Sequence, residues 1–244
     1  MYVIAHRGAN RLAPQNTIPA FEKAVELGVD GFENDVRLTS DGVVVICHND
    51  TVDATSDGSG KISDYTFEEL RKLDFGSYFD KGFAGTKIPT LEEFLQVAKA
   101  DCIKIINIEI KSQGSKNRQI TEKVIEQCKS QKLYDRLIIS SFDTDVLITA
   151  KELGARTALL VGPNDELTEM CINNLSQVVA DLKIDALHAH FLTVDENMVS
   201  ECKRLNIMLN PWTVNYDDAL LYMKELGVTS VITDESANAL KLLK

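Results

Sequence analysis

The sequence predicts an α/β protein whose fold is an eightfold β/α (TIM) barrel with a small insertion after strand 2. Segments typical of strands and of helices alternate along the chain, which is the pattern of a parallel sheet with helical crossovers. The length of 244 residues is close to the roughly 250 that such a barrel uses in one domain. No glycine-rich turn follows the first strand, and this disfavours a dinucleotide-binding sheet.

Eight strand candidates are short, β-branched and almost continuously apolar, as expected for strands that helices cover. They lie at 2–5, 31–36 (continued by 43–48), 105–110, 137–141, 156–161, 185–190, 207–213 and 230–233. Asp41-Gly42 predicts a tight turn between 31–36 and 43–48, because this dipeptide tolerates the positive φ that a hairpin needs.

Eight helix candidates fill the intervals between the strands. They lie at 17–27, 90–100, 118–131, 143–153, 166–181, 195–205, 216–226 and 235–243. Gly28, Gly154 and Gly227 are natural helix stops, and Thr90 is a natural N-cap.

We expect one domain over residues 1–244, with an inserted subdomain at about 51–86. The inserted stretch is rich in glycine and aromatic residues and has one short helix near 66–73. An insertion after a barrel strand lies on the catalytic face. We therefore expect this segment to form a small core of its own and, in part, a lid beside a substrate.

The net charge of −11 limits the classes of partner. An acidic surface without a basic stripe repels nucleic acid and anionic membranes, so we expect no nucleic-acid partner and no stable membrane association. The sequence contains no run of about 18 apolar residues, so we expect no membrane span and no leader. Five scattered cysteines without a CxxC pair predict reduced thiols and a cytoplasmic protein. No pattern marks an interface, so a homo-oligomer stays an open alternative.

Acidic residues interrupt two of the apolar strands near their carboxyl ends. Glu33 and Asp35 share one face of a strand, and Glu109 lies near the end of another. If these faces look into the barrel mouth, three carboxylates converge, which is costly unless a cation neutralises them. Oxygen ligands favour one hard divalent cation, Mg²⁺ or Ca²⁺. For each acid alone, a structural salt bridge is the alternative.

Basic and imidazole groups occupy the same strand ends. Arg7 offers a planar fork of donors and Lys111 a compact charge, so both are candidate phosphate ligands, with a structural ion pair at the rim as the alternative for Arg7. His6 and His48 are candidate proton carriers, because imidazole titrates near neutrality. Together these groups suit the hydrolysis of a small anionic phosphate ester.

Three further strand-end residues carry a weaker signal. Trp212 is predicted to pack on the carbon skeleton of a substrate, and core filling is an equally supported alternative. His188 and His190 have a spacing that binds zinc in some barrel hydrolases. Four histidines in the whole chain are too few for such a dinuclear site, so we expect this pair to line the mouth or to pack beneath it.

A series of segments resembles the glycerophosphodiester phosphodiesterase family, in the same order over essentially the whole chain. The segments are Ile4-Ala5-His6-Arg7-Gly8, Ala13-Pro14-Gln15-Asn16-Thr17, Glu33-Asn34-Asp35-Val36, Asp41-Gly42 leading to His48, Ile88-Pro89-Thr90-Leu91-Glu92-Glu93, Asn107-Ile108-Glu109-Ile110-Lys111, Ser141-Phe142-Asp143 and Trp212-Thr213-Val214-Asn215.

The resemblance implies an eightfold barrel that cleaves glycerophosphodiesters, such as deacylated phospholipids, to glycerol 3-phosphate and an alcohol. It also implies roles for individual residues in a metal-dependent reaction. These are Glu33, Asp35 and Glu109 as metal ligands, His6 and His48 as the acid/base pair, and Arg7 and Lys111 as phosphate ligands. Which imidazole is the acid stays open.

The chain departs from the family pattern at three positions. Gln15 stands where Glu is usual, Asn49 where Asp is frequent, and Ala54 where Arg is common. We expect these departures to alter substrate preference without abolishing activity. Two alternatives remain: a phospholipase that acts on intact lipids, and a catalytically silent barrel that binds phosphorylated ligands.

Overall fold

A computed structural model describes residues 1–163 and 166–244 of the chain, and this part contains eight parallel strands and one antiparallel strand. The strands are β1 (Tyr2–His6), β2 (Gly31–Leu38), β3 (Val44–Ile46), β4 (Ile105–Ile110), β5 (Leu137–Ser141), β6 (Thr157–Val161), β7 (Ala186–Ala189), β8 (Met208–Leu209) and β9 (Ser230–Thr233). Their order is β8-β7-β6-β5-β4-β2-β1-β9, and β3 pairs with β2 as a hairpin. The predicted eightfold barrel is confirmed.

The barrel is nearly closed between β8 and β9, where hydrogen bonds replace a regular ladder. The sequence predicted a strand over 207–213. The regular strand β8 has only two residues, although the backbone follows β7 further, where the Trp212 N–H donates to the Ala189 carbonyl at 3.0 Å. On the side of β9, Pro211 has no N–H to give to a ladder. The Pro211 carbonyl instead accepts a hydrogen bond from the Ile232 N–H at 2.9 Å. The Val214 N–H donates to the Ile232 carbonyl at 3.0 Å.

Helices follow the strands around the outside of the barrel. They are α1 (Ile18–Leu27), α2 (Phe67–Leu70), α3 (Leu91–Val97), α4 (Asn117–Ser130), α5 (Thr144–Glu152), α6 (Glu166–Leu182), α7 (Glu196–Leu205), α8 (Asp217–Leu226) and α9 (Ser236–Leu243). Gly28 and Gly227 end α1 and α8 in the left-handed conformation, as predicted. Thr90 caps α3 with a complete capping box. None of the described helices has both the length and the apolarity of a membrane span.

The inside of the barrel is apolar at the amino ends of the strands and polar at their carboxyl ends. An interior cluster fills the amino-terminal part, and it consists of Ile4, Ile105, Ile138, Ala158, Ala186 and Ile232. On β1 the next inward residue after Ile4 is His6, and on β4 the inward residues after Ile105 are Asn107 and Glu109. The polar groups of the strands therefore rest on an apolar floor at one end of the barrel.

The insert, residues 51–86, follows β3 and packs around a separate apolar cluster. This cluster consists of Val45, Cys47, Val52, Ile62, Leu70, Phe75 and Ile88. The helix predicted near 66–73 is shorter, because α2 spans only 67–70. Tyr78 and Phe79 remain partly exposed at 40% and 37%.

Candidate active site

A cavity of about 180 Å³ opens at the carboxyl ends of the strands. Its polar lining consists of His6, Arg7, Glu33, His48, Asn107, Glu109 and Lys111. Its apolar lining consists of Phe142, Leu160, Trp212 and Ile232. Seven of the eight site residues expected from the sequence line this cavity, and the eighth, Asp35, is fully buried behind it.

Strand register brings the three acidic residues together. Asp35 on β2 pairs with Glu109 on β4, and Glu33 lies one inward position before Asp35. Carboxylate oxygens of the three side chains all lie within 4.8 Å of one another, and each side chain is buried. Asn16 Nδ2 donates to Asp35 Oδ2 at 2.8 Å and fixes the orientation of that carboxylate.

The carboxylates differ in how well the protein stabilises their charge. Burial, with the charges of Asp35 and Glu109, raises the pKa of Glu33 well above its usual value. Burial and the charge of Asp35 likewise raise the pKa of Glu109 to about 7. Burial also disfavours ionised Asp35, but the cations of Lys111 and Arg7 outweigh it and hold the pKa of Asp35 below its usual range. Two of the three acids therefore lack enough positive charge around them.

This donor set fits a hard divalent cation. Lys111 Nζ lies 2.9 Å from Asp35 Oδ1 and also contacts Glu109 Oε1. Arg7 Nε lies 3.3 Å from Asp35 Oδ2. Two basic side chains cannot neutralise three buried carboxylates and also bind an anionic substrate. Glu33, Asp35 and Glu109 could therefore hold a divalent cation, which would balance the charge of this oxygen-rich cluster.

A tight turn after β1 aims Arg7 at the cluster. Arg7 has a left-handed backbone with φ 57, and Gly8 follows with φ 80. A Cβ on Gly8 would lie 2.8 Å from backbone and side-chain atoms of Ala20, so only glycine fits. The Arg7 N–H donates to the Glu33 carbonyl at 2.9 Å. One guanidinium nitrogen, Nη1, donates to Gln15 Oε1 at 2.7 Å, so the residue that replaces the usual Glu still accepts a hydrogen bond from Arg7, without a charge.

The two cavity imidazoles have different partners. His48 Nδ1 donates to Asn49 Oδ1 at 2.7 Å, and burial lowers the pKa of His48. Asn49, one of the three departures from the family pattern, thus directly contacts a candidate site residue. The backbone of His48 is fixed by Arg37, whose Nε and Nη2 both donate to the His48 carbonyl at 3.1 and 2.8 Å.

His6 is held by Asp234, a residue that the sequence analysis did not select. His6 Nδ1 donates to Asp234 Oδ1 at 2.6 Å, and His6 Nε2 lies 3.8 Å from Glu33 Oε2. Asn10 and Asn215 also donate to the Asp234 carboxylate, at 2.5 and 2.7 Å. Burial disfavours ionised Asp234, but these hydrogen bonds outweigh it and lower the pKa. The signal was available, because Asp234 directly follows the apolar strand Val231-Ile232-Thr233.

Trp212 belongs to the apolar side of the cavity. Its ring packs edge to face on Phe142 and on His190, each at 5.6 Å between centroids, and its Nε1 donates to the His188 carbonyl at 2.8 Å. His188 lies beneath the mouth, where Asn210 Nδ2 donates to its Nε2 at 3.0 Å and burial lowers its pKa to about 3. The two histidines of the His-x-His pair are therefore in different environments.

Comparisons with known proteins found a family model and relatives that match almost the whole chain. The model of the glycerophosphoryl diester phosphodiesterase family matches residues 6–238. A glycerophosphodiester phosphodiesterase of Caldanaerobacter subterraneus is 37% identical, over 99% of this chain and 97% of the relative. Glycerophosphodiester phosphodiesterase 1 of Homo sapiens is 35% identical, over 95% of this chain and 77% of the relative.

Solved structures show the same fold. A phosphodiesterase from Oleispira antarctica, solved in complex with the product sn-glycerol-3-phosphate, superposes with a TM-score of 0.91 at 28% identity. That match covers 100% of this chain and 96% of the other. A glycerophosphodiester phosphodiesterase from Thermotoga maritima superposes with a TM-score of 0.80 at 31% identity, over 99% of this chain and 98% of the other.

Proposed function

Because the chain belongs to the glycerophosphoryl diester phosphodiesterase family, we propose that it hydrolyses glycerophosphodiesters to glycerol 3-phosphate and an alcohol with one divalent cation. The substrates are small deacylated phospholipids, and the physiological cation is Mg²⁺ or Ca²⁺. The observation that carries this proposal is the convergence of three carboxylates, two imidazoles and two basic side chains around one cavity.

The polar side chains that line the cavity have different roles in the reaction. Arg7 and Lys111 bind the phosphate and place positive charge next to its non-bridging oxygens. One of His6 and His48 accepts a proton from the attacking oxygen nucleophile, which is water or a glycerol hydroxyl of the substrate, and the other gives a proton to the leaving alcohol. Where the substrate hydroxyl attacks, water then opens the cyclic phosphate to glycerol 3-phosphate. Each imidazole presents Nε2 to this task, because Nδ1 is already bonded to Asp234 or Asn49. Such proton transfer contributes about 10²–10⁴-fold in rate.

Glu33, Asp35 and Glu109 would hold the cation, which supplies Lewis-acid polarisation of the phosphate when bound. Around it, Lys111 and Arg7 keep Asp35 ionised, and Asn16 fixes that carboxylate. Among the apolar residues of the lining, Trp212 and Phe142 offer aromatic surface to the carbon skeleton of the substrate.

The proposal is tested by product release from glycerophosphocholine and glycerophosphoethanolamine. We expect the purified protein to form glycerol 3-phosphate, a chelator to stop turnover, and added Mg²⁺ or Ca²⁺ to restore it. His48→Ala is expected to lose most of the activity, whereas the exposed control Glu126→Gln keeps it. Full turnover in excess chelator contradicts the role of the metal.

The same assay separates the alternatives. Faster turnover of diacyl lipid than of its deacylated counterpart indicates a phospholipase. Saturable binding of glycerophosphocholine with no product after long incubation indicates a silent barrel.

We further propose that the protein works in the cytoplasm, where thiols stay reduced. Burial raises the pKa of Cys47 to about 11 and those of Cys128 and Cys202 to about 12, so these thiols stay protonated and inert.

A further inference from the structure

We propose that Asp234 is a positioning residue that fixes the tautomer and orientation of His6 so that Nε2 of the imidazole faces the substrate. The inference rests on the proposed function, in which His6 moves a proton. It concerns a residue that directly follows β9 and belongs neither to the metal-binding carboxylates nor to the phosphate-binding cations.

The geometry of the contact is that of an orienting carboxylate. Asp234 Oδ1 lies 2.6 Å from His6 Nδ1, a distance typical of a strong charge-assisted hydrogen bond. A carboxylate has only acceptor atoms, so the hydrogen must reside on Nδ1. The other ring nitrogen, Nε2, is then left to exchange a proton in the cavity that His6 lines.

The carboxylate itself is held from three sides. Asn10 Nδ2 donates to the same Oδ1, and Asn215 Nδ2 donates to Oδ2. Asn215 Oδ1 accepts from the Asp234 backbone N–H at 2.9 Å and from Thr233 Oγ1 at 3.2 Å. Asn10 lies in the loop after β1 and Asn215 in the loop after β8, so two loops of the mouth converge on this residue. A carboxylate that only interacted with solvent would not need these hydrogen bonds.

His48, the second imidazole of the cavity, is oriented by different groups. His48 Nδ1 meets the neutral amide of Asn49, and the backbone carbonyl of His48 is fixed by Arg37. For His48 the hairpin backbone and a neutral acceptor give the orientation. For His6, at the end of β1, the side-chain orientation depends on the Asp234 carboxylate.

The test replaces the carboxylate by an amide of the same shape. In Asp234→Asn the amide oxygen should take the position of Oδ2, because Asn215 donates there and its own Oδ1 is engaged by the residue 234 backbone N–H. The new Nδ2 then takes the position of Oδ1 and donates to His6 Nδ1, which moves the imidazole hydrogen to Nε2. The matched control is Glu235→Gln, the same chemical change one residue away, where the side chain binds Arg11 on the surface. Melting temperatures with and without Ca²⁺ show whether each variant is folded and still takes the cation.

We expect Asp234→Asn to lower kcat by about 10²–10⁴-fold with KM for glycerophosphocholine within about threefold of the parent, because only proton transfer is impaired. Glu235→Gln should keep both constants. An equal kcat in Asp234→Asn and the parent overturns the proposal. So does a loss that appears only as a raised KM or as an abolished response to Ca²⁺.

A second measurement does not depend on turnover. In protein labelled with ¹⁵N-histidine, two-bond ¹H–¹⁵N spectra report which ring nitrogen carries the hydrogen, and His6→Ala assigns the His6 signals. We expect Nδ1–H in the parent and Nε2–H in Asp234→Asn. A parent His6 with hydrogen only on Nε2, or identical His6 signals in both proteins, overturns the positioning role even if the protein hydrolyses no glycerophosphodiester.

Discussion

Glu33→Gln is expected to stabilise the metal-free protein and to weaken its response to metal. Glu33 is 4% exposed, and its oxygen belongs to a set of carboxylate oxygens within 4.8 Å of one another. Two unit charges at that distance repel by about 3 kcal/mol in an effective dielectric of about 20. Arg7 and Lys111 offset part of this repulsion. The amide keeps the shape and loses the charge, so we expect a gain of about 2 kcal/mol at pH 8 without metal.

The sign of the pH dependence follows from the raised pKa of Glu33. In the unfolded chain this carboxyl ionises near its usual value, whereas in the fold it stays protonated to a higher pH. Its unfavourable contribution is therefore absent at acidic pH and grows as the pH rises through the folded-state pKa. We expect Glu33→Gln and the parent to have similar stabilities near pH 4. The difference should open towards pH 8, where about 2 kcal/mol corresponds to a rise in Tm of about 4–8 °C.

The assay is thermal unfolding followed by circular dichroism, in EDTA and in Ca²⁺ or Mg²⁺. At a cation concentration of 100 times Kd the parent should gain about 2.7 kcal/mol, and Glu33→Gln should gain much less. The order of stability is therefore expected to invert when metal is added. Glu126→Gln, on an exposed face of α4, controls for the loss of one negative charge. A Glu33→Gln protein that is less stable than the parent in EDTA at pH 8 refutes the reasoning, and equal gains from metal place the cation elsewhere.

Three other substitutions probe the parts that support the site. Gly8→Ala should lower the unfolding free energy by about 2–4 kcal/mol in urea unfolding, and turnover assays should show the loss of most of kcat. The reason is that residue 8 has φ +80 and that the new Cβ would contact Ala20. Lys111→Met should destabilise the metal-free protein by about 3–5 kcal/mol at pH 8, because two buried carboxylates lose their ammonium partner, and unchanged stability there would contradict that pairing. Thr90→Ala should lower the unfolding free energy by about 1 kcal/mol through loss of the cap of α3, with unchanged kcat.

The barrel was predictable because each of its strands carries its own signal. Continuous apolar runs and the alternating helices fix a parallel sheet with covered faces. The length of β8 was not predictable in the same way. The apolar pattern extended it over 207–213, whereas the regular strand ends after Leu209, although Asn210 and Trp212 still donate backbone hydrogen bonds to carbonyls of β7. On the side of β9, Pro211 has no N–H for a ladder, so local chemistry interrupts the pairing where the barrel closes.

The acidic part of the site was readable for a geometrical reason. Glu33 and Asp35 share a face by strand periodicity, and Asp35 and Glu109 become direct neighbours as soon as β2 and β4 pair in register. Residues that depend on loop conformation gave no such signal. Asn16 reaches Asp35 from a left-handed backbone with φ 58, and Asn10 reaches Asp234 from the same irregular loop.

His48 reaches the mouth through the hairpin that Asp41-Gly42 predicts. β3 runs antiparallel to β2, with Ile46 opposite Val36, and Gly42 has φ 79 in the turn between them. The chain thus extends past the rim of the barrel along β2 and turns back toward the barrel along β3. Cys47 N–H donates to the Asp35 carbonyl at 2.9 Å, so His48 arrives at the level of the acidic cluster.

Arg37 has a structural role in this hairpin. Its guanidinium, on β2, donates two hydrogen bonds to the backbone carbonyl of His48. His6 is therefore positioned by a strand of the barrel, and His48 by the hairpin that is added to the barrel. Because loops vary more readily than the sheet that carries them, the hairpin and its insert can change around His48 while His6 and the carboxylates keep their register. Differences in substrate choice among related barrels are then expected to arise on the side of the mouth that the hairpin and insert form.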